Sequence, residues 1–216
     1  ESVLNRISTA NMSVANGTVV YTQFLNQIGG VEADLTITRL QANEYMVVTA
    51  AFTATHVKAW IDEHMSDNAN CVLTDISGSY AMLNIQGPNS RSLLTTISSS
   101  NFSNEYFPFG TMQPIEIGYQ NALAVRISYT GELGWELYIP TEMAVSVYDK
   151  IIEEGKVHGL KHCGYHTLNS LRIEKAYREW AHDMGPRETL LEAGLSFTCD
   201  WDKPEGFVGK EALVAQ

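Results

Sequence analysis

The sequence predicts an α+β fold, with strands in antiparallel groups and helices packed between them. Three observations carry that expectation. Residues 31–38, VEADLTIT, alternate strictly between apolar and polar, as a half-buried strand does. Residues 141–155, TEMAVSVYDKIIEEG, space their apolar side chains as one face of a helix. The order along the chain is strands, helix, strands, helix, strands, helix, helix, which favours α+β layers over a doubly wound sheet.

Taken in order, residues 17–40 read as a hairpin. GTVVYTQFLN is rich in β-formers, NQIGG supplies the turn, and the second strand puts Val31, Ala33, Leu35 and Ile37 on one face. Glu32, Asp34, Thr36 and Thr38 take the other face. Residues 44–50 form a third strand. Residues 54–66 carry helical spacing in Val57, Trp60, Ile61 and Met65. Residues 71–77 and 79–86 are the next strands, and Gly87-Pro88 opens a helix that runs to Ser98. Residues 112–119 and 122–140 make a second strand cluster, with Thr130–Gly134 as a turn. The helix over 141–155 has Thr141 as N-cap and Gly155 near its C-terminal end. Residues 164–180 form another helix, and 206–216 a short last one.

Composition narrows the function classes. The chain has 216 residues, 44% of them apolar and 18% charged, which is ordinary for a globular protein with a full core. No apolar run approaches the ~20 residues that span a bilayer, and the first residues carry no secretory leader pattern. The net charge of −11 disfavours nucleic acid, though not a small anionic ligand. Cys71, Cys163 and Cys199 are odd in number and form no CxxC pair, which fits a reducing compartment such as bacterial cytoplasm or the mitochondrial matrix. The sequons at Asn11, Asn16 and Asn101 are read as chance matches.

Several residues stand out chemically. Asp34 sits in a strand interior, where aspartate is disfavoured; it is either part of a solvated face or a carboxylate aimed into a groove. In SYTGELGWELYIP (128–140), Glu136 should face away from Trp135 and Leu137. It is either one exposed acid of a hairpin or an acceptor for a ring with paired N–H donors. His158, His162 and His166 lie four apart beside Cys163, but Gly159 and Gly164 interrupt the helix and no metal is expected. His182 reads as a loop or cap residue, with a substrate contact as the alternative. Arg172, Glu174, Lys175, Arg178 and Glu179 read as a salt-bridged outer helix face. No GxGxxG, GxxxxGK[ST] or GxSxG occurs.

Five segments in order resemble the glycine-cleavage T-protein family, the folate-binding aminomethyltransferases. They are YTQFLNQIGGVEADLTITRL, MLNIQGPNSRSLL, SYTGELGWELYIP, SLRIEKAYREW with LEAGL, and GFVGKEAL. The single aspartate after the glycine pair, and RIEKAYREW followed by LEAGLSFTCDWDK, are most similar to the C-terminal folate domain of sarcosine and dimethylglycine dehydrogenases. The pyruvate dehydrogenase phosphatase regulatory subunit is a relative of these. Where T-proteins carry an arginine just before the "DSLR" segment, this chain has Leu168.

The resemblance implies a tetrahydrofolate site. Asp34 matches the aspartate beside the folate nitrogens and the catalytic carboxylate, with Leu35 adding contacts. Tyr129 matches an aromatic wall, and Glu136 the carboxylate that binds the pterin, with Leu137 and Tyr138 beside it. Phe197 stands where relatives have a folate-lining tyrosine, and keeps the ring without the hydroxyl. The resemblance also implies that residues 1–216 are a piece of a longer chain, one folate-binding domain without its C-terminal barrel. FAD is expected only in an N-terminal flavin domain of the same parent chain. The expected reaction is capture of the iminium carbon from N-methyl amine oxidation as 5,10-methylenetetrahydrofolate. The alternatives are an aminomethyltransferase or folate-dependent demethylase without flavin, and a non-catalytic regulatory subunit of the same fold.

Overall fold

The computed structural model describes residues 1–66 and 69–216. The chain forms two compact units, residues 1–74 with 178–216, and residues 75–177. Both have the expected α+β architecture of antiparallel sheets with packed helices.

The first unit contains α1 (Ser2–Ile7), β1 (Val19–Leu25), β2 (Val31–Gln41), β3 (Glu44–Thr49) and α2 (Ala54–His64). The strands form one antiparallel sheet in the order β1-β2-β3. The glycine pair that joins β1 to β2 has two separate reasons. Gly29 adopts φ +82°, which L side chains rarely reach, and a Cβ on Gly30 would collide with the Pro186 carbonyl. Asn26 closes the turn by accepting from the Gly30 and Ile28 amides at 2.9 and 3.1 Å. The alternation of β2 then sends Ala33, Leu35 and Ile37 into a core with Ile7, Met12 and Phe24, and α2 adds Val57 and Ile61. At the hairpin end, Leu25 and Val31 meet Leu190, Leu195, Phe207 and Leu213 of the returning C-terminal segment.

Lys203 ties that segment to the start of the chain. Its ammonium is 3% exposed and donates to the carbonyls of Asn5, Ser8 and Ala10 at 2.7–2.8 Å, over the Phe207 ring. Burial lowers its pKa to about 8. In Lys203→Met the volume is kept but three carbonyls lose their donor. We expect a loss of about 2–3 kcal/mol after the relief of ammonium desolvation is counted, read as a lower urea midpoint.

The second unit contains β4 (Tyr80–Gln86), α3 (Ser90–Ile97), β5 (Met112–Ile117), β6 (Gln120–Val125), β7 (Gly134–Pro140), α4 (Ala144–Gly155) and α5 (Tyr165–Glu174). Its sheet runs β4-β7-β6-β5, all antiparallel. Trp135, Leu137 and Ile139 of β7 pack on Leu93, Leu94 and Ile97 of α3 and on Val147 and Ile151 of α4. Phe102 and Phe107 meet the Trp135 ring edge-on, at 5.4 and 6.0 Å between centroids. A last helix, α6 (Lys210–Val214), belongs to the first unit. Among the described residues no helix is long and apolar enough to cross a membrane.

Four sequence expectations need correction. Residues 71–76 form no strand; Val72 is 91% exposed, and β4 is the edge of its sheet with only β7 beside it. A strand pattern expresses local preference, and pairing decides whether a strand forms. Thr141 does not cap α4; it lies in a 3₁₀ turn, Thr141–Met143, and its hydroxyl donates to the Gly78 carbonyl. The helix expected over 164–180 stops at Glu174. Ala176 takes φ +56°, the Tyr177 amide donates to the Arg172 carbonyl and the Ala176 amide to Ile173, a Schellman stop in which alanine fills the usual glycine position. Arg172 is not on an outer helix face. It is 4% exposed, with Nε on Asn169 Oδ1 and Nη1 on the Tyr177 carbonyl. The short helix α1 lacks the apolar periodicity that would have marked it.

Candidate functional site

Each unit carries one of the two carboxylates that the sequence singles out. In the first unit, the pleat that buries Ala33 and Leu35 turns Asp34 to the opposite face of β2. Directly across the ladder on β1 is Gln23, which is fully buried. Gln23 Nε2 donates to Asp34 Oδ1 at 2.8 Å. The Thr198 hydroxyl, in the 3₁₀ turn Ser196–Thr198, bonds the other end of the same amide. Burial raises the Asp34 pKa to about 6, while hydrogen bonds from Gln23 and Tyr21 pull it down. A carboxyl in that range exchanges its proton near neutral pH.

Two residues earlier on the same face, Glu32 accepts from Asn26 Nδ2 at 2.9 Å and lies 3.2 Å from His56 Nε2. Leu35 is 3% exposed and faces the core, so its side chain points away from Asp34. Phe197 stands 75% exposed on the 3₁₀ turn that carries Thr198. His182 is a loop residue, 3.7 Å from Glu179, in a loop whose residues 180–188 line a cleft of about 370 Å³. None of the other candidates lines that cleft.

In the second unit, β7 buries Trp135, Leu137 and Ile139 completely and turns Glu136 and Tyr138 to the other side. The Tyr138 hydroxyl donates to Glu136 Oε2 at 2.7 Å. Burial raises the Glu136 pKa, partly offset by that bond, and burial with the Glu136 charge pushes the Tyr138 phenol well up. Asn84 of β4 faces Glu136 across the ladder. Tyr129, in the turn before β7, stacks on Tyr177 with centroids 6.3 Å apart. Leu137 is part of the core and offers no side-chain surface here.

The first unit can therefore present one proton-exchanging carboxyl, and the second, separately, one carboxylate with lone pairs left on Oε1 and Oε2 for paired N–H donors. Gln23 and Thr198 carry no signal of their own in the sequence. Among the described residues no group of three His, Cys, Asp or Glu could hold a metal. His158 bonds Thr96 and His162 bonds Tyr148 instead.

Comparison with known proteins agrees with this architecture. The family model described as "GCVT N-terminal domain" matches residues 1–203. The chain is 42% identical, over 98% of its length, to 4-methylaminobutanoate oxidase (formaldehyde-forming) of Paenarthrobacter nicotinovorans, and covers 26% of that protein. It is 39% identical, over 96% of its length, to human mitochondrial sarcosine dehydrogenase, and covers 24% of it. An aminomethyltransferase of Halothermothrix orenii is 34% identical over 98% of the chain, which covers 58% of that protein. The chain thus spans about a quarter of the two oxidoreductases. In fold, it superposes on the glycine cleavage aminomethyltransferase T of Bartonella henselae with a TM-score of 0.86 at 23% identity, covering 99% of this chain and 57% of that one. With its match over residues 1–203 and its sheets and helices laid out as in that T-protein, the chain belongs to the GCVT N-terminal domain family.

Proposed function

We propose that this chain is the tetrahydrofolate-binding part of a sarcosine/dimethylglycine dehydrogenase-like enzyme. It captures the one-carbon unit from N-methyl amine oxidation as 5,10-methylenetetrahydrofolate. The observation that carries this reading is Asp34, a carboxyl in a strand interior, bonded to a buried amide and holding its proton up to about pH 6. Folate, when bound, supplies the nucleophilic nitrogens for the carbon. As the carbon joins both nitrogens its bond to the amine breaks; the departing amine carries off one of the two N–H protons, and Asp34 would accept the other and steady positive charge beside them. Glu136, braced by Tyr138, would accept the paired N–H donors of the pterin. Tyr129 and Phe197 would offer ring faces. Leu35 and Leu137, whose side chains are buried, could contribute only through their backbone. Oxidation of the amine is assigned to a flavin domain of the parent chain, because no dinucleotide fingerprint occurs here.

The test is a calorimetric titration of tetrahydrofolate into the full-length protein, with free formaldehyde followed during turnover of the amine. Saturable binding and suppression of formaldehyde release by folate are expected. No binding heat, with formaldehyde release the same with and without folate, would overturn the reading in favour of a formaldehyde-releasing or regulatory protein.

A further inference from the structure

We propose that Gln23 and Thr198 form a reversible hydrogen-bond relay that lets Asp34 hold or release a proton without leaving a buried polar atom unpaired. They would thereby set the pH at which Asp34 acts as a proton acceptor. The role in capture rests on the function proposed above; the relay itself does not.

The argument is a count of donors and acceptors. Gln23 is fully buried and Thr198 is 7% exposed, so each of their polar ends needs a protein partner. With Asp34 ionised, the Thr198 hydroxyl donates to Gln23 Oε1 and Gln23 Nε2 donates to Asp34 Oδ1. When Asp34 is protonated on Oδ1, the oxygen that Gln23 bonds, that second contact would set an N–H against an O–H. A half-turn of the Gln23 amide exchanges its oxygen and nitrogen and repairs this. Asp34 O–H then donates to Gln23 Oε1, Gln23 N–H donates to Thr198 Oγ1, and the Thr198 hydroxyl donates to the Leu195 carbonyl.

That last acceptor is already in place, 2.8 Å from Thr198 Oγ1. It also accepts the Thr198 amide at 3.0 Å, which a carbonyl with two lone pairs allows. Each polar atom of the relay has a partner in both states, through one of the two N–H groups in the case of the Gln23 nitrogen, and only the amide turns. No proton crosses the relay; the one Asp34 gains stays on its carboxyl until it leaves to solvent or ligand. Titratable groups near Asp34 among the described residues include Tyr21 of β1, which hydrogen-bonds to it, and Glu32 of its own strand, engaged by Asn26 and His56. β3 ends at Thr49, opposite Leu35, and brings no titratable group across from Asp34. The pKa of about 6 places the exchange where both states are populated.

The test uses the full-length protein and two readouts. One is the pH profile of folate-dependent capture. The other is an infrared titration of the protonated carboxyl band, assigned to Asp34 by its loss in Asp34→Asn. Gln23→Leu removes the donor that favours the anion. It should move both the acid limb and the infrared midpoint upward by about one pH unit or more, with capture recovering at high pH. Thr198→Val, close in shape, should shift both in the same direction, and Thr198→Ser should restore them. If Gln23→Leu does not fold, the Thr198 pair carries the same comparison. An infrared midpoint unchanged in Gln23→Leu or in Thr198→Val overturns the relay. A midpoint that moves while the capture profile stays fixed upholds the relay and overturns the assignment of Asp34 to capture.

Discussion

Asp34→Asn is expected to lower the rate of one-carbon capture by about 10²- to 10⁴-fold, the range associated with losing a positioned acid–base group. Folate affinity should change by less than about threefold, a loss of under one kcal/mol. Asparagine keeps the shape and keeps an oxygen for Gln23 Nε2. It cannot take a proton, and it carries no charge with which to steady a cation. The measurement is single-turnover capture at saturating folate, and equal rates in variant and wild type would remove Asp34 from the mechanism.

The same variant has a stability signature of opposite sign. Burial raises the folded-state pKa of Asp34 from 3.8 to about 6. A raised carboxyl contributes stability that is fully present below its unfolded value and lost as pH rises through about 6. At neutral pH the ionised side chain therefore costs the native state about 2 kcal/mol, allowing for its partial exposure. Asp34→Asn should raise the thermal midpoint near neutral pH and leave it nearly unchanged at about pH 4. A slower and more stable protein would mark Asp34 as a residue kept for chemistry rather than for folding.

The face that Asp34 takes was legible because the strict alternation of 31–38 left only one reading of it, and Asp34 stood out as a candidate because aspartate is out of place there. Glu136 was legible for the same reason, between two residues that the structure buries completely. The partners of Asp34 were not legible. Gln23 and Thr198 are separated by 175 residues, and no local pattern brings a buried amide and a threonine hydroxyl together. The end of α5 was hidden because alanine, not glycine, takes the left-handed position at 176. Arg172 was misread because a charged residue at helical spacing looks the same whether it faces solvent or clamps the helix end from within. Periodicity gives the face of a residue within its own element; what that face meets is set by other elements.

The second large effect is expected at Glu136, whose proposed role is to accept hydrogen bonds rather than to exchange a proton. Hydrogen bonds to a charged group contribute about 1.5 kcal/mol or more each. Losing two in Glu136→Ala should weaken tetrahydrofolate binding by about 100-fold. Loss of the buried charge does not by itself destabilise the variant. Burial raises the Glu136 pKa, so its ionised form costs stability as pH rises, and the alanine variant should be no less stable from this source at neutral pH. Tyr138→Phe removes only the bond that braces Oε2, and should cost about threefold to tenfold in affinity. Glu136→Gln is the decisive variant. Its volume and polarity match glutamate, but its amide nitrogen would meet the pterin's N–H donors with a donor of its own. It should therefore bind nearly as poorly as alanine. Calorimetry showing Gln close to wild type would mean that Glu136 contributes shape rather than paired acceptance, and the pterin would have to be recognised elsewhere.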